Sequence, residues 1–214
     1  MKQIPSILFL SAFGAGLASA QTPATSGHSA QYWQASLTAE TSKDYDSALS
    51  DITAYQNNGG DPYLASLRAA WLYYLKQDYA NAARAYNTAE KLEPASINPL
   101  LGLLNISEAH GDSATIEKSA EDVLHLDPLN YRAQMALAYR HYLAKEYAMA
   151  LASYRRVLLY YPDDMTALSG EAWSLLYLGQ QDKAEADFKT LLGVNSGDAW
   201  AQKGLELCQE SKSN

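Results

Sequence analysis

From Ser29 onward, apolar positions return along this chain at a fixed interval of 34 residues. One column reads Ala48, Ala82, Ile116, Ala150 and Ala184. Four residues later stand Ile52, Tyr86, Ala120, Tyr154 and Phe188, and three later again Tyr55, Ala89, Val123, Val157 and Leu191. Small, then mostly large, then apolar at this spacing is one face of a helix, with the small residue where a second helix approaches. Prolines fix the phase. Pro94, Pro128 and Pro162 stand 34 apart and each closes an apolar segment, and the same step reaches the turn formers Gly60 and Ser196. With the breaker placed at position 32, five units begin at Ser29, Tyr63, Ile97, Tyr131 and Met165, and the columns above become positions 20, 24 and 27. Position 16 holds Asp44, Asp78, Asp112, Glu146 and Gln180, in a polar stretch suited to a turn and the start of a second helix. The pattern predicts helix, turn, helix in every unit.

Three stretches carry a family resemblance. Tyr73-Tyr74-Leu75-Lys76-Gln77-Asp78-Tyr79 is followed by Ala82, Tyr86, Ala89 and Pro94; Tyr147, Ala150, Tyr154 and Pro162 repeat the scheme; and so do Leu178-Gly179, Ala184 and Phe188. These residues resemble the tetratricopeptide repeat (TPR), a 34-residue helical hairpin with small residues at positions 8 and 20, aromatics at 11 and 24, and a closing proline. The resemblance covers about Ser29 to Ser196. The first unit departs from it at Ser36 and Gly60 and has no aromatic at position 11, and the third has Ser107 and Ala120 where large residues are usual. It implies an all-α fold, a right-handed superhelical solenoid of about five repeats: a degenerate unit at 29–62, then 63–96, an irregular 97–130, 131–164 and 165–198. A solenoid exposes apolar surface at its ends. Residues 199–214 supply a capping helix and tail, with Ala199, Trp200, Leu205 and Cys208 at helical spacing and Lys203, Glu206 and Glu210 between them.

The first 28 residues read differently. Met1-Lys2-Gln3, the apolar run from Ile7 to Leu17 and the small residues Ala18-Ser19-Ala20 have the layout of an export signal, cleaved after Ala20. A membrane anchor is the other reading, but the apolar run is shorter than the roughly 20 residues a spanning helix needs, and Gly14 and Gly16 weaken it. Residues 21–28, rich in Ser, Thr, Pro and Gly, are expected to be a flexible lead-in. No second apolar run follows, so no stable membrane insertion is expected after cleavage, and the bacterial periplasm is the expected location, with secretion the alternative. The 214 residues carry 16 Lys and Arg against 24 Asp and Glu, a formal net charge of −8. This balance disfavours nucleic acid as the main partner. The one cysteine, Cys208, cannot form an intrachain disulfide and is expected as a small buried hydrophobe.

Helical geometry separates two stripes on the first helix of each unit: positions 4, 7, 8 and 11, and positions 2, 5, 9 and 12, roughly 130° away at about 100° per residue. The resemblance implies that the second stripe lines a concave groove for a protein or peptide partner. Its aromatics form three pairs, Trp71 with Tyr74, Tyr139 with Tyr142, and Trp173 with Tyr177, with Arg68 and Arg132 as isolated cations and Asn105 as a polar member. Packing between neighbouring units is the other reading of these rings. Relatives that hold a chaperone's C-terminal carboxylate do so with Lys, Arg and Asn at positions 2, 5, 6 and 9. This chain lacks that set, with no Lys at position 5 and Gln34, Arg68, Gly102, Ala136 and Gly170 at position 6. His28, His110, His125 and His141 are scattered, and no phosphate-binding glycine loop, cysteine pair, metal-ligand spacing or nucleophile with its base stands out, so neither an enzyme nor a cofactor is expected. The expected function is an exported protein-binding adaptor. The alternatives are a glycan-binding module that depends chiefly on Trp71 and Trp173, and a self-associating homo-oligomer.

Overall fold

The computed structural model describes residues 27–111 and 113–213, which form eleven helices. They are α1 (Gly27–Thr41), α2 (Tyr45–Asn57), α3 (Pro62–Leu75), α4 (Tyr79–Leu92), α5 (Asn98–His110), α6 (Ser113–Leu126), α7 (Tyr131–Leu143), α8 (Tyr147–Tyr160), α9 (Met165–Tyr177), α10 (Gln181–Val194) and α11 (Ala199–Ser213). Each packs on the next, and the odd-numbered helices make a second, inner row in which α3 meets α5, α7 meets α9 and α9 meets α11. The result is an all-helical repeat solenoid. The expected signal and residues 21–26 of the expected lead-in lie outside the described residues, as does Asp112. Gly27 and His28 do not belong to a lead-in: α1 begins at Gly27 and includes them in its first turn.

The turns repeat as faithfully as the helices. Position 15 of every unit is left-handed, with φ of 59° at Lys43, 61° at Gln77, 72° at Gly111, 62° at Lys145 and 73° at Gly179. This reverses the chain between the two helices of a hairpin. Asp44 and Asp78 then cap the second helix, accepting from the backbone N–H of Ser47 at 3.1 Å and of Asn81 at 3.2 Å. Inner helices are capped by Asp61, Asn130, Asp164 and Asp198, which accept from the backbone N–H of Leu64, Ala133, Ala167 and Ala201. Such caps each contribute about 1 kcal/mol.

The predicted columns form the core. Positions 20, 24 and 27 are buried in every unit except at the half-buried Ile116, and position 8 is fully buried throughout as Ser36, Ala70, Leu104, Ala138 and Ala172. A further match joins the units. The ring at position 24 lies on a glycine at position 6 of the following helix: Tyr86 on Gly102, Tyr154 on Gly170, Phe188 on Gly204. A Cβ at any of these glycines would fall inside the ring. At the same register Ile52 and Ala120 are followed by Arg68 and Ala136. Inner helices come together closely across the three glycine seams, and less closely between α1 and α3 or between α5 and α7. Those two looser seams are bridged by charge, Glu40 with Arg68 and Glu108 with Arg132, and both glutamates stand at position 12. At the far end α11 closes the core with buried Ala201 and Cys208, and the Trp200 ring stands edge-on to Trp173 at 5.7 Å.

Candidate functional site

The inner row presents two aromatic centres. In the first, on α3, Trp71 is 37% exposed and stacks on Tyr74, with ring centroids 5.8 Å apart and planes 17° from parallel. Its indole N–H donates to Glu40 Oε1 at 2.8 Å, which fixes the ring against the preceding unit. Tyr74 leans on Tyr79 at 5.6 Å, and Tyr79 meets the His110 ring edge-on at 5.2 Å. In the second centre Tyr177 is 51% exposed and lies flat on Tyr147 at 4.6 Å, and Tyr142 touches both rings. Tyr139, 43% exposed, and Leu143, 61% exposed, stand one turn apart on α7 and extend this surface. Between the centres, on α5, is Asn105, whose buried Oδ1 has no hydrogen-bond partner.

Two phenols of the wall, Tyr74 and Tyr142, are held in their neutral form. Burial raises the Tyr74 phenol, Tyr79 and Glu108 add to the rise, and Arg132 opposes it. Burial, followed by the neighbouring Tyr177, pushes the Tyr142 phenol up further.

Several expected site residues hold other places. Arg68 is not an isolated cation: it pairs with Glu40, donates to the Ser36 carbonyl at 3.1 Å, and its guanidinium lies 6.0 Å from the Trp33 ring centroid. Arg132 is paired with Glu108. Both pairs cross from one unit to the next, so a stripe read within single units does not reveal them. Trp173 is not on the groove wall. Only 7% exposed, it is wedged edge-on between Phe188 at 5.3 Å and Trp200 at 5.7 Å, because α11 folds over the last hairpin and buries it. Its contact with Tyr177, at 6.0 Å, is a packing contact. Tyr139 and Tyr142 make no ring contact with each other among the described residues: the Tyr142 ring lies against Tyr147 and Tyr177 instead.

By sequence, no family model matches the chain and neither does any curated protein. By fold, it is similar to a solved tetratricopeptide repeat protein from Parabacteroides merdae, with a TM-score of 0.73 at 16% identity, over 85% of this chain and 73% of that one. The chain has a TPR fold. It is also similar to MamA from Desulfovibrio magneticus, with a TM-score of 0.68 at 12% identity over 82% of this chain and 99% of that one. YrrB, a TPR protein with an unusual peptide-binding site, superposes with a TM-score of 0.65 at 12% identity over 82% and 90% of the two chains.

The TPR wall contains residues that the stripe of positions 2, 5, 9 and 12 leaves out. Leu143 stands at position 13, as does the expected Tyr177, and Tyr79 and Tyr147 stand at position 17, where Tyr45 also occurs. That recurring tyrosine was the available signal. Elsewhere, His141 is buried at position 11 with its Nδ1 2.7 Å from Glu146, in the expected ring site. Among the described residues no group of three or more His, Cys, Asp or Glu is placed to hold a metal ion, and no helix is long and apolar enough to cross a membrane. Exposed rings and the exposed Leu143 line this surface.

Proposed function

We propose that this TPR chain is a non-enzymatic scaffold that holds a peptide segment or a helix of a partner protein against its inner row of helices. The observation that carries the reading is the pair of exposed aromatic centres on α3 and on α7 with α9. A surface of this kind favours an amphipathic partner. The peptide-binding site of YrrB, a protein of the same fold, supports it. A glycan platform is disfavoured, since one of its two tryptophans, Trp173, is packed inside the protein. We place the scaffold in the bacterial periplasm, exported by residues 1–20 and starting at Gln21; the support is the sequence pattern alone.

The protein serves as bait in an envelope extract, beside a Trp71→Ala, Tyr139→Ala variant matched in helicity by circular dichroism. The expected outcome is a defined protein retained by the first and lost by the second. Equal retention by both would make the rings packing residues and remove the groove as the binding site.

A further inference from the structure

The second helices of the hairpins form the outer row, and their units can be compared position by position. They share one backbone and one buried face, so the fold asks the same of each at positions turned outward. At position 19 they carry Ser47, Asn81, Thr115 and Lys183, and at position 29 Asn57, Lys91, His125 and Gly193. Helix α8 departs at both places, with Met149, 53% exposed, and Leu159, 74% exposed and the most exposed large apolar side chain among the described residues. Ala148 and Ala152 share this face and Tyr160 ends it. The strip is one helix wide, since the same face of α6 carries Lys118 and Glu121, and that of α10 carries Asp182, Lys183 and Lys189.

In a chain of net charge −8, α8 is also the outer helix without an acidic residue. Its Arg155 is paired with Glu171 at 2.7 Å. Arg156 donates to the Pro128 carbonyl at 3.3 Å and has no carboxylate partner among the described residues. It lines a crevice with Leu129, Tyr160 and Tyr161 at the Leu159 end of the strip. An apolar face with one unanswered cation is complementary to an apolar face with a carboxylate. An extended segment fits it poorly, because α8 has bonded its own backbone groups and a strand laid on it would bury unpaired N–H and C=O; a helix arrives with these satisfied. A flat anionic membrane would meet the charges of α6 and α10 on both sides of the strip, and the net negative charge of the chain.

Met149 and Leu159 stand ten positions apart, about 15 Å along α8, which is about three turns of a partner helix. We propose that the outward face of α8 docks one amphipathic helix of a partner protein. Its apolar side chains lie along about three turns against Met149, Ala152 and Leu159, and a carboxylate at one end is set against Arg156. This surface belongs to the outer row, so it goes beyond the inner-row scaffold reading and does not depend on it.

The test uses a fluorescein-labelled, end-capped helical peptide of about twenty residues, long enough to be helical alone. It is built of Ala and Gln with leucines at i, i+4, i+7 and i+11 and a glutamate flanking each end of the leucine row. Titrated with the protein and followed by anisotropy, it is expected to bind about tenfold tighter than a peptide of the same composition whose leucines share no face. Met149→Ser with Leu159→Asn, the residues α2 carries at these positions, is expected to keep helicity and thermal midpoint and to weaken the peptide about tenfold. Trp71→Ala with Tyr139→Ala is expected to leave it unchanged. Exchanging the glutamates for lysines should weaken binding about threefold, and Arg156→Gln should abolish that preference. No binding, equal binding by the Met149→Ser, Leu159→Asn protein, or loss on Trp71→Ala, Tyr139→Ala instead would each overturn the proposal. So would phosphatidylglycerol vesicles, or a dimer in sedimentation, that depend on Met149 and Leu159 while the peptide does not bind: the occupant would then be a membrane or a second copy. In all these cases an envelope partner that is captured through Trp71 and Tyr139 leaves the scaffold reading standing.

Discussion

Lys43, Gln77 and Lys145 occupy a left-handed backbone position that Gly111 and Gly179 fill in the other two units. A side chain there crowds the following carbonyl, while glycine gives up some unfolded-state entropy instead; the balance favours glycine by about 0.5–1 kcal/mol. Gln77→Gly is therefore expected to raise the thermal midpoint by roughly 2 °C, read by circular dichroism. Asp187 offers a second test. Burial first, then the nearby Glu171 carboxylate, raise its carboxyl to about 6, with Arg155 opposing, and its Oδ2 is buried without a partner. The folded chain thus holds this proton more tightly than the unfolded one, whose carboxyl sits near 3.8. The contribution to stability is present at low pH and is lost as the pH rises through about 6. Asp187→Asn is expected to gain on the wild type as the pH goes from about 4 to about 7, and a constant difference across that range would refute the assignment. Single residues were also where the sequence misled. Arg68 and Trp173 were assigned from their own helices, and what decides their places is Glu40 in the preceding unit and Trp200 in the following helix.

Between elements, the fit of ring to glycine is the rule that sets helix spacing. It predicts a double-mutant cycle. Ala120→Tyr alone should cost about 1–3 kcal/mol, since Ala136 faces the place where the ring would lie. With Ala136→Gly added, the pair reproduces Tyr86 with Gly102 and most of that loss should return, measured by urea denaturation. Additive costs would mean that the glycines serve some other purpose. The hairpins and their buried columns were legible from the sequence because a 34-residue period and a helical face are properties of the chain alone. The seams were not. The glycines at position 6 make sense only as space for a ring 16 residues earlier, on a different helix. The aromatic wall was half legible for the same reason: Trp71, Tyr74, Tyr139, Tyr142 and Tyr177 stand on the inner helices, whereas Tyr147 comes from α8 and joins them by stacking on Tyr177 of the next hairpin.

For the whole molecule, stability is a sum of units and the seams between them. Ending the chain at Asp198 would remove α11 and bare Trp173 and Phe188, so the shortened protein is expected to lose helicity in α9 and α10 first, seen as loss of amide protection there by hydrogen exchange. Export can be checked on the same scale, by fractionating the producing cell and weighing the protein; a mass that includes residues 1–20 would count against signal cleavage. The seams are not equal, however. Between α5 and α7, among the described residues, no ring is seated in a glycine, and the two units there are joined by Arg132 of α7 with Glu108 of α5 and by Arg140 of α7 with Glu117 of α6. Pulled from its two ends, the solenoid would yield at one of its two ring-free seams, this one or the one between α1 and α3, before it yields at a glycine seam. It would part into an N-terminal and a C-terminal body, and it would do so at lower force in concentrated salt, because a clasp made of partly exposed charges weakens with ionic strength and a ring seated in a hollow does not.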